Sequence, residues 1–220
     1  MKARAAQAVQ GLKDLKLTCK VTYCNMAELK KISGDFSKRY EFKTSTLMFK
    51  SPDKMKMEGK LGMVTMKMVI NGDRKAFIIP AIGYHKKENI KGEPHKRQSD
   101  FDIGIFSDTL WSDYIVTDVE RVKNGDGTEY RIVFRRANTK EKKQVCWVDA
   151  ESLRLRKLEN FESDGSLKTR FVYSDHKKLG NGVWLPMKID IYNGEGKLAA
   201  STEYQDVSIN TGISDSEFNL

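Results

Sequence analysis

Leu15-Lys16-Leu17-Thr18-Cys19-Lys20-Val21-Thr22-Tyr23 sends apolar residues to odd positions and polar ones to even positions. Side chains of a strand point alternately to opposite faces, so this stretch reads as a strand with one buried face and one wet face. The same period continues at Tyr40, Phe42 and Thr44, and in Lys54-Met55-Lys56-Met57-Glu58. Met66, Met68 and Ile70 alternate with Thr65 and Lys67, and Phe77 and Ile79 follow. Further on, Tyr130, Ile132 and Phe134 alternate with Arg131 and Arg135. Val145 and Trp147 oppose Cys146 and Val148, and Leu167 to Tyr173, Leu185 to Ile191 and Leu198 to Tyr204 complete the series.

Between these runs stand Asn71-Gly72-Asp73, Asn124-Gly125-Asp126-Gly127, Asp164-Gly165, Asn181-Gly182 and Asn193-Gly194. Such pairs supply the positive φ of tight hairpins, so the strands form a meander of sequential neighbours. Gly59-Lys60-Leu61-Gly62 reads as another hairpin turn, since no helix follows to make it a phosphate loop. The expected fold is mainly β: one strongly curved antiparallel sheet of about eleven strands, a half-open barrel, because so many strands curl. Two segments break the rhythm. Residues 3 to 14 have helical spacing, and residues 100 to 114 carry Phe101, Ile103, Ile105, Phe106, Leu110 and Trp111 behind a capping Ser99 or Asp100. Both are expected as helices covering the concave face, with Lys86 to Gln98 as an exposed loop before the second.

A single domain over residues 1–220 fits this length, since all-β folds commonly reach it undivided. Hydrophobic residues are 39% and charged residues 31%, a folded rather than disordered composition. No apolar run reaches the ~18 residues of a membrane helix, so the chain is expected not to span a bilayer. Met1 to Leu15 lacks the apolar core of a signal peptide, so either the protein is cytoplasmic or a leader has been removed. The net charge of +9 is spread along the chain in short clusters such as Lys140 to Lys143, which suits a solvated, edge-protecting surface better than a block for nucleic acid.

Catalytic patterns are not found. His85, His95 and His176 sit in lysine-rich or turn-like context and read as solvated; neither a Gly-x-Ser-x-Gly elbow nor His-Glu-x-x-His occurs. No cofactor, metal or enzymatic activity is expected. Cys19, Cys24 and Cys146 match neither a disulfide framework nor a zinc pattern, although one long-range bridge to Cys146 remains open. The methionines carry more information: Met48, Met55, Met57, Met63, Met66 and Met68 are six of the nine. Flexible thioethers suit variable apolar ligands as well as core filling.

The C-terminal part carries an ordered series: Tyr130-Arg131-Ile132, Val145 to Asp149, Leu153 to Phe161, Asp164-Gly165-Ser166, Tyr173-Ser174-Asp175, Gly182 to Pro186 and Val207 to Phe218. With Phe49 to Met57, Ser99-Asp100-Phe101 and Trp111 to Tyr114, this order resembles the LolA-like outer-membrane lipoprotein-sorting proteins. The resemblance implies a periplasmic carrier, its signal peptide removed, whose apolar cavity between sheet and lid helices shields acyl chains of a lipoprotein or lipid. It implies inner- and outer-membrane partner proteins, and the chain is expected to act as a monomer without nucleic acid. The expected lining is Met55, Met57, Met66, Met68, Phe77 and Ile79 from strands, with Phe101, Ile105 and Trp111 from the lid. The family's latching arginine has no assigned counterpart; Arg39 matches by position alone. The competing expectation is an envelope protein-interaction or sensor module of the same fold, with no lipid cargo.

Overall fold

The computed structural model describes residues 11–34, 37, 39–93, 103–105, 114–136 and 142–220. The first six strands, β1 (Asp14–Cys24), β2 (Thr44–Lys50), β3 (Lys54–Leu61), β4 (Val64–Asn71), β5 (Arg74–Ile79) and β6 (Tyr84–Asn89), pair in chain order. A second meander runs through β7 (Tyr114–Asn124), β8 (Gly127–Arg136), β9 (Lys143–Asp149), β10 (Leu155–Phe161) and β11 (Leu167–Ser174). It leaves the sheet for a small hairpin of β12 (Lys177–Lys178) and β13 (Trp184–Leu185), then returns as β14 (Lys188–Asn193) and β15 (Leu198–Ile209). The two meanders join where β1 pairs antiparallel with β15, from Leu15 opposite Ile209 to Cys24 opposite Ala200.

The result is one thirteen-stranded antiparallel sheet whose edges are β6 and β7, not closed into a barrel. The strand count exceeds the expected eleven because both edge strands escape the alternation test. β6 is Tyr-His-Lys-Lys-Glu-Asn, and β7 carries Asp118, Glu120, Arg121 and Lys123. Charged edges are how a sheet discourages further pairing, so they read as loop. Lys86–Asn89, expected in a loop, is therefore strand.

Helix content also differs. Met26–Ile32 (α1) was not expected; the Asn25 side chain accepts from the amides of Ala27 and Glu28, and Leu29 and Ile32 bury against β14 and β15. A seven-residue helix with two buried positions leaves little periodic signal. Neither expected helix is shown. Residues 3–10 lie outside the described residues, and the chain is already strand at Asp14. Of 100–114, residues 103–105 form a short turn and Tyr114 opens β7; the remainder lies outside the described residues.

One face of the sheet, here the inner face, carries the core: Leu15 and Leu17, Leu47 and Phe49, Ile132 and Phe134, Leu155 and Leu158, Phe171 and Tyr173, Ile189 and Ile191. Ile90, Ile103 and Ile105 are buried in it, so residues 103–105 pack on this face. Gly104 makes that approach close. Its φ is +77° and a Cβ there would overlap the Pro186 ring, so no other residue fits without displacement.

The outer face is crossed by residues 210–220. The buried Asp14 carboxylate accepts from the amides of Thr211 (2.8 Å), Gly212 (3.0 Å) and Ile213 (3.3 Å). Burial pushes its carboxyl up, but these donors outweigh burial and hold it below the ordinary carboxylate value. Asn210 answers by accepting from the Lys13 amide (2.7 Å) and donating to the Gly11 carbonyl (2.6 Å). Beyond this clamp, Asp215 meets Lys50 and Lys54, Glu217 meets Lys56, and Phe218 is fully buried.

Expected hairpin turns at Gly72, Gly125, Gly165 and Gly182 have left-handed φ. At Asn193-Gly194 the left-handed residue is Gly196; Gly194 is instead pressed against the Leu167 carbonyl, where a Cβ has no room.

Candidate functional site

Register brings the six strand residues of the expected lining together on the inner face. Met55 lies opposite Ile70, Met57 opposite Met68, Gly59 opposite Met66, and Met68 opposite Phe77. Ile79, two residues beyond Phe77, shares its face. Burial grades along the strands. Met55 and Met68 are buried in the core, whereas Met57, Met66, Phe77 and Ile79 are half-buried toward the Gly62 end. Ile105 is buried too, but it directly follows the short turn at residues 103–104 rather than lying on a described helix. Phe101 and Trp111 lie outside the described residues.

The methionine cluster does not act as a unit. Met48 pairs with Lys56 and lies on the outer face, and Met63 is fully exposed in the turn between β3 and β4. Two contributors to this region escaped the sequence reading. Phe42 packs against Gly59, where a Cβ would collide with its ring. Lys75, two residues before Phe77 and hence on the same face, is buried, with its ammonium 4.9 Å from the Phe77 ring centroid. Strict alternation over Lys75-Ala76-Phe77 carried that signal; the charge of Lys75 masked it.

The titratable groups elsewhere resolve into structural roles. All three cysteines are free thiols, so no bridge to Cys146 forms. Cys146 is buried in the core and Cys19 packs half-buried against it; desolvation pushes the Cys19 thiol up to about 12 and Cys146 upward as well. His176 is half-buried rather than solvated: its Nε2 donates to the Leu155 carbonyl at 2.8 Å, and desolvation lowers its pKa. Arg39 lies in a 3-10 turn, not on a strand. Among the described residues, no group of three or more His, Cys, Asp or Glu could hold a metal ion. A polar cleft of about 590 Å³ beside Trp147 contains Arg154, Arg156 and Lys157. Each of these cations already faces an acid: Arg154 with Asp149, Arg156 with Glu129, Lys157 with Glu159. No helix among the described residues is long and apolar enough to cross a membrane.

No curated protein matches this chain. A family model described as that of an uncharacterized protein matches residues 79–220. Among solved structures, a putative outer membrane lipoprotein-sorting protein domain from Vibrio parahaemolyticus superposes with a TM-score of 0.64 at 13% identity, covering 99% of this chain and 94% of that one. A LolA superfamily protein from Nitrosomonas europaea gives 0.65 at 11% identity, over 99% and 95% of the two chains. A DUF1329 family protein from Desulfovibrio piger gives 0.56 at 14%, over 99% and 93%. At such identities the likeness speaks for fold. The chain thus belongs to the uncharacterized family whose model spans residues 79–220, and its fold is the one seen in the LolA superfamily and lipoprotein-sorting structures.

Proposed function

We propose that this protein is a periplasmic carrier which takes an acyl chain of a lipoprotein or lipid onto its inner apolar face. The observation that carries the reading is the half-buried strip of Met57, Met66, Phe77 and Ile79, continuous with the buried Met55 and Met68. An apolar strip that stops short of full burial gains from a guest. Burying each methylene contributes about 0.8 kcal/mol, so ten would supply about 8 kcal/mol before the cost of ordering the chain. The thioethers adapt to chains of different shape, and carriage of this kind needs no cofactor and no chemical step. Exchange with inner- and outer-membrane partner proteins, by a monomer, belongs to the same reading.

Native mass spectrometry of the purified protein, followed by titration with a fluorescent fatty acid, tests it. Binding that weakens at least tenfold in Phe77→Glu supports the reading, since a charge on the strip repels an alkyl chain. A wild-type protein that neither carries nor binds an alkyl chain refutes it.

A further inference from the structure

Six large apolar side chains are exposed among the described residues; the registers put all six at one end of the sheet, and five of them, Tyr23, Leu61, Met63, Ile82 and Tyr84, stand on its β1–β6 side. The registers explain why. The β3–β4 turn is reached at Leu61 opposite Val64, and the β5–β6 turn at Ile79 opposite Tyr84; two antiparallel turns separated by one hairpin lie at the same end. The last residues of β1 reach that end too, where the Val21 amide donates to the Lys43 carbonyl. From β1 to β6 are five strand spacings, so the row extends over about 24 Å.

These are projecting tips, not a flat patch. Met63 is 100% and Ile82 71% exposed. Both occupy turn positions that polar residues ordinarily fill, and nothing in the packing of the sheet asks for a large apolar side chain there. Around them, the exposed charged groups of these turns and strand ends are Lys20, Lys43 and Lys60 against Glu41, with His85 and Lys86 behind on β6. Lys86 is paired with Glu88. Projecting apolar tips ringed by cations fit an anionic bilayer: the tips enter the headgroup and acyl boundary while the ammonium groups stay at the phosphates.

We propose that the tips at Met63 and Ile82, with Lys20, Lys43 and Lys60, form a docking edge for anionic lipid bilayers. The edge goes beyond the carrier reading and does not depend on it. It also stands at the end toward which the half-buried Met57, Met66, Phe77 and Ile79 lead, so a docked protein presents that strip to the bilayer.

Co-sedimentation with phosphatidylcholine vesicles, with and without about one-third phosphatidylglycerol, tests the edge. The wild-type protein is expected to sediment with the anionic vesicles, more weakly in high salt, and at least tenfold less with phosphatidylcholine alone. Met63→Glu/Ile82→Glu is expected to lose at least tenfold in vesicle affinity, and Lys43→Gln/Lys60→Gln roughly fivefold per charge removed. Lys123→Glu, at an exposed residue beside the β7–β8 turn at the opposite end of the sheet, lowers the net charge by as much as the double glutamate variant; it is the control and keeps wild-type binding. These positions are exposed, and an unchanged melting temperature confirms that each variant is folded. Absence of wild-type binding to anionic vesicles overturns the proposal, as does wild-type affinity in the double glutamate variant. Fatty-acid binding measured without vesicles reports separately on the carrier reading.

Discussion

Replacing Asp14 by Asn tests whether the C-terminal crossing segment is held by the clamp at the start of β1. Asp14 is 3% exposed and its two oxygens accept from three consecutive amides. Asn keeps the oxygen that faces Thr211 but aims an amino group at the amides of Gly212 and Ile213, setting donor against donor. Losing two charge-assisted hydrogen bonds and stranding their donors costs about 3 kcal/mol. For a chain of 220 residues the unfolding entropy is about 0.46 kcal/mol per kelvin, so the melting temperature at neutral pH should fall by about 6 °C. The pH dependence gives a second reading. The carboxyl's pKa is lowered by folding, so its stabilisation is complete above the ordinary carboxylate value and is lost as pH falls through the folded one. Protonated Asp14 carries a donor where Asn does, so the gap between wild type and variant should close in acid. Thermal melts followed by circular dichroism across pH measure both. A variant melting within about a degree of wild type at neutral pH, or a gap indifferent to pH, would refute the clamp.

Other outcomes follow from packing. Met68→Ala removes a buried side chain between Met57 and Phe77 and should cost about 2–4 kcal/mol, whereas Met63→Ala should leave a urea midpoint unchanged. Gly194→Ala should destabilise by more than the 1 kcal/mol or so of an ordinary surface change, because the obstacle is the Leu167 backbone carbonyl and cannot swing aside; the same melts report it. A maleimide should label Cys24 in the native protein, with Cys19 and Cys146 reacting only on unfolding; rapid native labelling of all three would contradict the burial.

Much of this protein is written in local periodicity. Leu15 to Tyr23 and Lys54 to Glu58 declare strand and face together, because neighbouring side chains alternate whatever lies across the sheet. Likewise Asn71-Gly72 and Asn124-Gly125 declare hairpins, since a left-handed φ is a property of the turn itself. Those signals sufficed to place Met55, Met57, Met66, Met68, Phe77 and Ile79 on one face. They could not reveal the edge strands β6 and β7, whose charges answer to the absence of a neighbour, nor α1, whose two buried residues are defined by β14 and β15. The pairing of β1 with β15 joins residues nearly the whole chain apart, and no local pattern encodes it. That pairing sets the two meanders side by side and makes β6 and β7 the edges. The fate of individual methionines was also a tertiary matter. Met48 and Met63 look like their neighbours in sequence, yet one faces the outer side and the other projects into solvent, because strand register and the position of the turn decide where a side chain ends.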